Sequence, residues 1–361
     1  MFDYGARVQR LQQTMADRGV DAAVFSVGAD LPYLTGYTAT PTERLTVLVV
    51  PQDGTPTLVV PQLEAPRVEP GAFTLTSWGE TEDPVSLAAS SVDTPRLVAA
   101  GDQMWSVFLL AFQKEWPNAD WVSATELTKG LRIRKEPAEI DALRRAAHAV
   151  DRVMARIPSE VAFAGRTERE VSRQIAEMVL EEGHETAGFA IVGSGPNGAS
   201  PHHEASDRVM EDGDLVVCDF GGSMDGYQSD STRTFSIGEP SEKQFEVHSV
   251  VAAANEAGRS AVGPGVPCQE VDRAARAVIE EAGYGESFIH RTGHGIGLEV
   301  HEHPYMVEGN ELQLEEGMTF SVEPGIYLPG EFGIRIEDIV ACGSEDGDTL
   351  NQSLRGLFQV S

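Results

Sequence analysis

The sequence lacks the features that mark a membrane, secreted or disulfide-stabilised protein. No apolar run approaches the roughly 20 residues that a membrane-spanning helix needs. The three cysteines, Cys218, Cys268 and Cys342, are odd in number and far apart, so neither a disulfide framework nor a zinc ribbon is indicated. The N-terminal stretch is polar and has no apolar core of a signal peptide. We therefore expect a cytoplasmic protein without a membrane partner.

Positive charge is scarce, and lysine is the rarer of the two cationic residues. The chain has 57 acidic against 27 basic residues, only four of them lysines, and a formal net charge of -30. A surface of this sign repels nucleic acid and anionic lipid, so no nucleic-acid partner is expected. The acidic residues are dispersed, which leaves two explanations open: attraction of cationic substrates and adaptation to concentrated salt. The second is favoured because salt screens the self-repulsion, and it predicts a halophilic source.

The length of 361 residues suggests two domains. The first part alternates helical stripes with short β-branched runs, which predicts a small α/β domain over residues 1–130. Its first helix is indicated by Val8, Leu11 and Met15 at helical spacing. A basic segment punctuated by glycine and proline follows, and residues 131–361 form the second predicted domain.

The second part repeats one order of elements, two helices followed by a pair of strands. The capping box Thr167–Glu170 opens one predicted helix of the first half. The helices of the second half are predicted over roughly 242–261 and 269–283. Two related halves favour a cleft between them, which is a natural place for a binding site. The predicted fold class is α+β.

A first pair of carboxylates lies around a predicted hairpin. The dipeptide Asp225-Gly226 is a strong hairpin signal. Asp219 and Asp230 are equidistant from the bond that precedes Asp225, so a symmetric hairpin is expected to place them directly opposite each other. Like charges in that position destabilise a sheet. A metal ion is the counter-charge that this arrangement predicts.

A second pair of carboxylates repeats the pattern near the C-terminus. Glu323 and Glu337 are equidistant from Gly330, which lies in a turn-like segment. A single acid–acid pair is more often a solvated sheet edge than a metal site. Two such pairs, each flanked by apolar strand residues, favour the metal site.

Histidines supply the remaining ligand candidates. His290, His294, His301 and His303 crowd into one segment whose glycines allow close backbone approach. A lone histidine is more often structural, but this cluster favours a ligand or a catalytic group. Four carboxylates and one neutral imidazole carry a charge of about -4, which two divalent cations would neutralise. Oxygen-rich ligation with one imidazole suits Mn²⁺, Co²⁺, Fe²⁺ or Zn²⁺, and a single-metal site also stays open.

The five candidate ligands, in order, resemble the signature of a known enzyme family. Asp219, Asp230, His294, Glu323 and Glu337 lie in the segments VCDFGGSMDGYQSDSTRTF, TGHGIGLEVHE, SVEPGIY and GIRIED. These are similar to the corresponding segments of the pita-bread (M24) metallopeptidases, which include prolidase, aminopeptidase P and methionine aminopeptidase. The resemblance covers the whole chain. It implies a C-terminal pita-bread domain preceded by a smaller creatinase-type N-terminal domain.

The resemblance implies a role for each ligand. Asp219 would chelate one metal, Asp230 and Glu337 would bridge two, and His294 with Glu323 would complete the second site. Mn²⁺ or Co²⁺ is the expected metal, with Zn²⁺ or Fe²⁺ as alternatives.

Further site residues are also implied by the resemblance. Glu323 would act as general base on a metal-bridging hydroxide, His202 would contact substrate, and His301 would hold the scissile carbonyl. Arg335 would steady the carboxylates from outside the ligand set. The neighbours His203 and His303 have no counterpart in the family signature, and we expect them to be surface or packing residues.

The implied activity is removal of an N-terminal residue from peptides that carry proline second. Xaa-Pro dipeptidase and Xaa-Pro aminopeptidase both stay open. Many archaeal-type prolidases carry arginine four residues after the second histidine, and Tyr305 stands there in this chain, which weakens the dipeptidase interpretation. Members of this branch are commonly dimers, so a homodimer is expected, with the loop around Tyr33–Tyr37 reaching the partner's cleft.

Other functions on the same fold are less favoured. Methionine aminopeptidases usually lack the extra N-terminal domain, and creatinase lacks the metal ligands that are intact here. A catalytically silent binding module and a lyase acting on a small molecule remain the alternatives. Bound metal without turnover of any peptide would favour them.

Overall fold

The chain divides into two units, one ending at Arg132 and the other formed by Ile133–Ser361. They are described from a computed structural model that covers residues 2–361. None of the helices within those residues is long and apolar enough to cross a membrane. The three cysteine side chains are free and buried.

The first unit is built on a mixed sheet. Its elements are α1 (Tyr4–Arg18), β1 (Ala22–Phe25), α2 (Asp30–Thr35), β2 (Val47–Pro51), β3 (Thr57–Pro61), β4 (Thr74–Trp78), α3 (Pro84–Ala89), β5 (Leu97–Ala100), α4 (Ser106–Glu115), β6 (Asp120–Ser123) and α5 (Thr125–Arg132). The strand order is β4-β3-β2-β1-β5-β6. The pairs β1–β5, β5–β6 and β3–β4 are parallel, and the others are antiparallel.

The first helix forms where the apolar stripe predicts it. The Asp3 carboxylate accepts a hydrogen bond from the Ala6 N–H and caps the N-terminus. The stripe of Val8, Leu11 and Met15 is buried, and the helix ends at a glycine in the left-handed conformation that favours this residue.

The segment Tyr33–Tyr37 is not a loop that projects from the chain. Most of it lies in α2, and both tyrosine rings are buried within the first unit. The Tyr33 hydroxyl donates to the Leu131 carbonyl at 3.1 Å, and the Tyr37 hydroxyl donates to Glu64 at 3.2 Å. The rings and hydroxyls of both tyrosines are therefore used inside the unit, and the reach of this segment to a partner's cleft stays a prediction.

The second unit repeats helix pairs and strands in the predicted order. Its elements are α6 (Pro137–Glu160), α7 (Glu168–Glu181), β7 (Thr186–Ser194), β8 (Leu215–Met224), β9 (Tyr227–Gln228), β10 (Ser231–Ile237), α8 (Glu242–Ser260), α9 (Cys268–Glu281), β11 (Gly293–Gly295), β12 (Glu302–Met306), β13 (Thr319–Val322), β14 (Gly325–Leu328), β15 (Phe332–Arg335), β16 (Asp338–Cys342), β17 (Gly347–Thr349) and β18 (Phe358–Val360). One sheet has the order β18-β10-β8-β7, with β9 paired to β8, and another has β12-β11-β13-β16-β17. A third pairs β14 with β15.

The helices pack against these sheets through their apolar faces. Residues of α6 and α7 share one buried cluster with β8 and β10, and residues of α8 and α9 share another with β14 and β15. The predicted capping box is present: the Thr167 hydroxyl accepts from the Glu170 N–H, and the Glu170 carboxylate accepts from the Thr167 N–H. This burial leaves the opposite faces of the strands free to carry polar residues.

The turn between β8 and β9 is a two-residue hairpin loop. Met224 pairs with Tyr227, so Asp225 and Gly226 occupy the two central positions. Both have positive φ, 53° and 79°, as the hairpin turn that favours Asp-Gly requires. The hairpin is therefore symmetric about the bond between Asp225 and Gly226. This centre is one residue later than the one predicted from the sequence.

This shift changes how the first two carboxylates are related. Asp219 lies opposite Thr232, not opposite Asp230, so the predicted direct pairing was wrong. The Ser229 N–H donates to the Gly222 carbonyl at 2.8 Å, which keeps the same register through the gap before β10. Asp230 thus lies two residues along from Thr232, where alternation brings it to the face of the sheet that carries Asp219.

The second pair of carboxylates follows the predicted register. The ladder pairs on either side are Val322 with Asp338 and Gly325 with Arg335. The register is the same in both ladders, so Glu323 and Glu337 occupy opposing positions in the short interruption between them. The Glu337 N–H donates to the Thr232 carbonyl at 3.1 Å. This bond places Glu337 beside β10, the strand that begins directly after Asp230.

Candidate metal centre

The five predicted ligands come together in three overlapping sets. Within each set the ligand atoms all lie within 4.8 Å of one another. The sets are Asp219–Asp230–Glu337, His294–Glu323–Glu337 and Asp230–His294–His301. Glu337 belongs to one set with the two aspartates and to another with the imidazole and Glu323. A shared carboxylate of this kind lies where it can contact two ions at once.

The four carboxylates of this cluster have fewer cationic protein partners, among the described residues, than their charges need: Arg335 forms an ion pair with Asp219 alone. The Asp219 Oδ1 atom is buried and has no hydrogen-bond partner within residues 2–361. Burial, reinforced by the charges of Glu337, Asp219 and Glu323, raises the pKa of Asp230 well above its usual range. Burial and the charges of Glu323 and Asp219 do the same to the pKa of Glu337. An orphaned oxygen and crowded carboxylates fit divalent cations, which would provide the missing positive charge.

Arg335 contacts this cluster from one side. Its Nη2 donates to Asp219 Oδ2 at 2.7 Å, and its Nη1 donates to the Tyr327 hydroxyl at 2.9 Å. Its Nε donates to Thr232 Oγ1 at 3.1 Å, and that hydroxyl in turn donates to Glu337 Oε2 at 2.7 Å. The guanidinium therefore orients Asp219 directly and Glu337 through Thr232.

The imidazoles are held in the neutral form that binds a metal or donates one proton. His294 Nε2 lies 3.2 Å from Glu323 Oε1 and 3.7 Å from Asp230 Oδ2. Burial lowers the pKa of His294 to about 4, so its imidazole is neutral at pH 7. The ring of His301 has its centroid 3.9 Å from that of His294. Burial and the neighbouring His294 lower the pKa of His301 to about 4 as well.

One cavity of about 610 Å³ opens onto all five ligands. Its volume falls in the range of small-ligand sites. Its apolar wall contains Phe189, Ile191 and Val300, and its polar lining adds His202 and His301. His202 is exposed and belongs to none of the three ligand sets, so its position suits contact with a ligand in the cavity rather than metal ligation.

Tyr327 was not singled out from the sequence, and His290 was named only as a member of the histidine cluster. The Tyr327 hydroxyl receives the Arg335 bond and lies 2.8 Å from His290 Nε2. Burial raises the pKa of Tyr327 to about 12, so the hydroxyl keeps its proton. Tyr327 lies in a segment that carries the family resemblance and His290 lies two residues before another, but only the packing of β14 against the segment before β11 shows that they meet.

His203 is a packing residue, as expected. Its Nε2 lies 2.7 Å from Glu168 Oε2. The Glu168 carboxylate is fully buried and also accepts hydrogen bonds from the N–H and hydroxyl groups of Ser194 and Ser206. These bonds fasten both ends of the segment that carries His202.

Comparisons with known proteins agree with this geometry. Residues 141–344 match Metallopeptidase family M24, and residues 7–134 match the Creatinase/Prolidase N-terminal domain. The chain belongs to metallopeptidase family M24. It is 46% identical to the probable dipeptidase PepE of Mycobacterium bovis, over 99% of this chain and 96% of that protein. It is 38% identical to the Xaa-Pro dipeptidase of Lactobacillus helveticus, over 94% of this chain and 95% of the relative.

A solved structure supports the same assignment across the whole fold. The prolidase of Thermococcus sibiricus is 37% identical and covers 100% of both chains with a TM-score of 0.95. The protein is therefore a hydrolase of the metallopeptidase class, with a creatinase-type N-terminal domain and a pita-bread catalytic domain. The predicted family, fold class and enzyme class are confirmed.

Proposed function

We propose that this metallopeptidase is an Xaa-Pro dipeptidase that uses two divalent cations. The observation that carries the proposal is the overlap of three ligand sets through Asp230, His294 and Glu337 at one cavity. Relatives named as dipeptidase, Xaa-Pro dipeptidase and prolidase favour this substrate class. The Xaa-Pro aminopeptidase interpretation is the second candidate and is an outcome of the test below.

Each ligand has an assigned position in the proposed centre. Asp219 would hold one cation, His294 and Glu323 would hold the other, and Asp230 and Glu337 would be shared by the two. When bound, such a pair of cations activates a water molecule as nucleophile and polarises the carbonyl of the scissile bond. We expect Mn²⁺ or Co²⁺, with Zn²⁺ or Fe²⁺ as alternatives.

The protein groups around the centre handle the proton and the substrate carbonyl. Glu323 accepts the proton of the attacking water, and its Oε1 is oriented by the Ser321 hydroxyl at 3.0 Å. His301, neutral at pH 7, donates a hydrogen bond to the carbonyl oxygen where negative charge develops. His202, which also lines the cavity, contacts the substrate. Arg335 keeps Asp219 in place through their 2.7 Å hydrogen bond.

Three predictions about the protein's setting accompany this proposal. We expect it to be a homodimer, to reside in the cytoplasm and to come from a salt-adapted organism. Analytical ultracentrifugation in concentrated KCl tests the first, and a monomer with full activity would contradict it.

The proposal is tested by comparing peptides under metal-loaded and chelated conditions. Purified protein in concentrated KCl receives Mn²⁺ or Co²⁺ and then Ala-Pro, Ala-Ala or Ala-Pro-Ala. Metal-dependent cleavage of Ala-Pro well above the other two establishes the dipeptidase. Cleavage of the tripeptide at a comparable or higher rate establishes the aminopeptidase instead. Bound metal without cleavage of any peptide would support the silent module or the small-molecule lyase.

A further inference from the structure

One of the four lysines of the chain is buried in an ion pair. The Lys135 Nζ atom donates a hydrogen bond to Glu302 Oε1 at 2.6 Å, and the two side chains are only 1% and 8% exposed. By contrast, the side chains of Lys129 and Lys243 are 40% and 48% exposed. Taking two charges out of water costs free energy that their attraction does not always repay, so a buried ion pair is weak evidence for stability. Its location suggests what else it does.

Glu302 lies next to both imidazoles of the metal-site cavity along the backbone. It begins β12 and directly follows His301. Its backbone pairs with Gly295, which directly follows His294. A carboxylate held in place here therefore holds the backbone beside both histidines.

The imidazole of His301 is not oriented by a hydrogen bond to the protein. Within residues 2–361, its ring contacts only the ring of His294, at 3.9 Å between centroids, and neither of its nitrogens is hydrogen-bonded to a protein atom. The ring lines the cavity and is available to a ligand there. Its position consequently depends on the backbone that carries it.

The ion pair packs closely against the segment that leads to His301. A Cβ atom added at Gly297 would lie 2.6 Å from Glu302 Oε1 and 3.0 Å from Lys135 Cε. The Gly297 carbonyl also accepts a hydrogen bond from the Gln228 N–H at 2.8 Å. An approach this close requires a residue without a side chain, and it leaves the paired side chains little room to move.

Lys135 is itself fastened to the segment that leads into β13. Its N–H donates to the Gly317 carbonyl at 2.8 Å. β13 begins shortly after Gly317 and ends directly before the ligand candidate Glu323. The lysine thus joins this part of the metal site to the segment that carries His301.

We propose that Lys135 is a positioning residue, which through Glu302 holds the His301 imidazole where it meets the scissile carbonyl. The inference rests on the proposed function, in which His301 donates a hydrogen bond to that carbonyl. A displacement of about 1 Å at a reacting group can lower a rate by about 100-fold. Since neither Lys135 nor Glu302 belongs to a ligand set, the effect falls on turnover rather than on metal binding.

The test is a double-mutant cycle between the lysine and the histidine. Lys135→Met, Lys135→Arg and the pair Lys135→Met with Glu302→Gln are made in the wild-type and in the His301→Asn protein. Lys243→Met is the matched control, because Lys243 is an exposed lysine paired with Glu331. The pair removes both buried charges, so that the test remains possible if the unpaired Glu302 carboxylate prevents folding. For each variant we measure kcat and KM for Ala-Pro with Mn²⁺, bound metal per chain and the unfolding temperature.

The proposal predicts a loss of turnover that requires His301. Lys135→Met is expected to lower kcat by about 10- to 100-fold, with unchanged bound Mn²⁺ and little change in KM. Lys135→Arg keeps a cation beside Glu302 and should restore kcat in part. The pair of substitutions should recover the unfolding temperature but not kcat. In the His301→Asn protein, Lys135→Met should lower kcat no further, because a positioning residue acts through the group that it positions.

A purely structural role gives different results. A lower unfolding temperature with unchanged kcat, a loss of bound Mn²⁺, or an equal fall in kcat with and without His301 overturns this proposal and leaves the dipeptidase intact. Unchanged kcat in His301→Asn alone overturns the role of His301 and this inference with it. Failure of the wild-type protein to cleave Ala-Pro overturns the proposed function itself.

Discussion

Arg335 donates a 2.7 Å hydrogen bond to Oδ2 of Asp219, while Oδ1 of the same carboxylate is buried without a partner within the described residues. One arginine therefore orients this ligand but does not complete its coordination. Asp230, Glu323 and Glu337 add three more carboxylates to the same cavity. The arrangement is therefore suited to binding cations.

Replacing the proposed general base is expected to abolish turnover while leaving the fold intact. Glu323→Gln preserves the size of the side chain but removes the proton acceptor and one ligand charge. We expect kcat for Ala-Pro to fall at least about 10³-fold, within the range for loss of general-base catalysis. Glu311→Gln, at an exposed position, is the control and should retain full activity. Near-normal turnover by Glu323→Gln at saturating metal would contradict the assigned role.

The metal-free protein is expected to lose stability as pH rises, because the pKa of Asp230 is raised in the folded state. A group with a raised folded pKa contributes stability below its ordinary pKa of 3.8 and loses that contribution as pH climbs through the folded pKa. Asp230→Asn removes this ionisation. In the absence of metal, the variant should therefore be more stable than wild type at pH 8 and equal to it near pH 4.

When metal is added, the order of stability between wild type and Asp230→Asn is expected to reverse. Mn²⁺ binds the ionised carboxylates and stabilises the state that binds it, so wild type should gain more unfolding temperature than Asp230→Asn. Thermal unfolding at both pH values, with chelator and with Mn²⁺, checks the reversal. A variant less stable than wild type at pH 8 without metal would show that Asp230 is not strained by its neighbours.

Glu168 is expected to stabilise the segment that carries His202. Burial alone would raise the pKa of Glu168, but hydrogen bonds from Ser206, Ser194 and His203 outweigh it and lower the pKa to about 2. A depressed pKa contributes stability above the ordinary value of 4.5 that is lost as pH falls toward 2. Glu168→Gln should reduce the free energy of unfolding at pH 7 by on the order of 2 kcal/mol.

The pH dependence separates this effect from a simple packing change. The difference between wild type and Glu168→Gln in chemical denaturation should shrink as pH is lowered from 4.5 toward 2. Glu177→Gln, at an exposed position of the same helix α7, is the matched control and should differ little from wild type. A constant difference at every pH would assign the loss to packing instead of the carboxylate.

Salt is expected to stabilise the protein through its net charge of -30. Concentrated KCl shortens the screening length to a few ångströms and weakens repulsion among the dispersed carboxylates. The unfolding temperature should therefore rise from 0.1 M to 2 M KCl at pH 8, by much more than it does near the isoelectric point of about 4.5. Equal gains at the two pH values would point to a general effect of salt on hydration rather than to charge screening.

The sequence carried enough information to predict the ligand set but not its full geometry. Asp225-Gly226 predicted the hairpin correctly, yet the register depended on which residues occupy the turn centre, and Thr232 rather than Asp230 lies opposite Asp219. Around Gly330 the loop is symmetric about the predicted residue, so Glu323 and Glu337 were placed correctly. Moving the centre of a hairpin by one residue shifts every opposing position by two residues, so Asp230 keeps its face of the sheet but not its predicted partner.

Contacts between distant segments could not be predicted from spacing. The chain from Arg335 through Tyr327 to His290 joins β15, β14 and the segment before β11, and no local pattern relates these positions. The Arg291 Cζ atom lies 4.3 Å from the centroid of the Tyr305 ring, and this contact likewise depends on the pairing of β11 with β12. Such contacts follow from the packing of strands within the second half of the domain, whereas the ligands could be recognised individually.

The most direct test of this account is a titration of the metal-free protein with Mn²⁺, following bound metal per chain and Ala-Pro hydrolysis in the same samples. The account predicts that hydrolysis is absent without metal and reaches its maximum as the second ion binds, with two ions per chain at saturation. Full hydrolysis in chelated protein, or a maximum at one ion per chain with no further binding, would contradict a two-metal centre built by Asp219, Asp230, His294, Glu323 and Glu337.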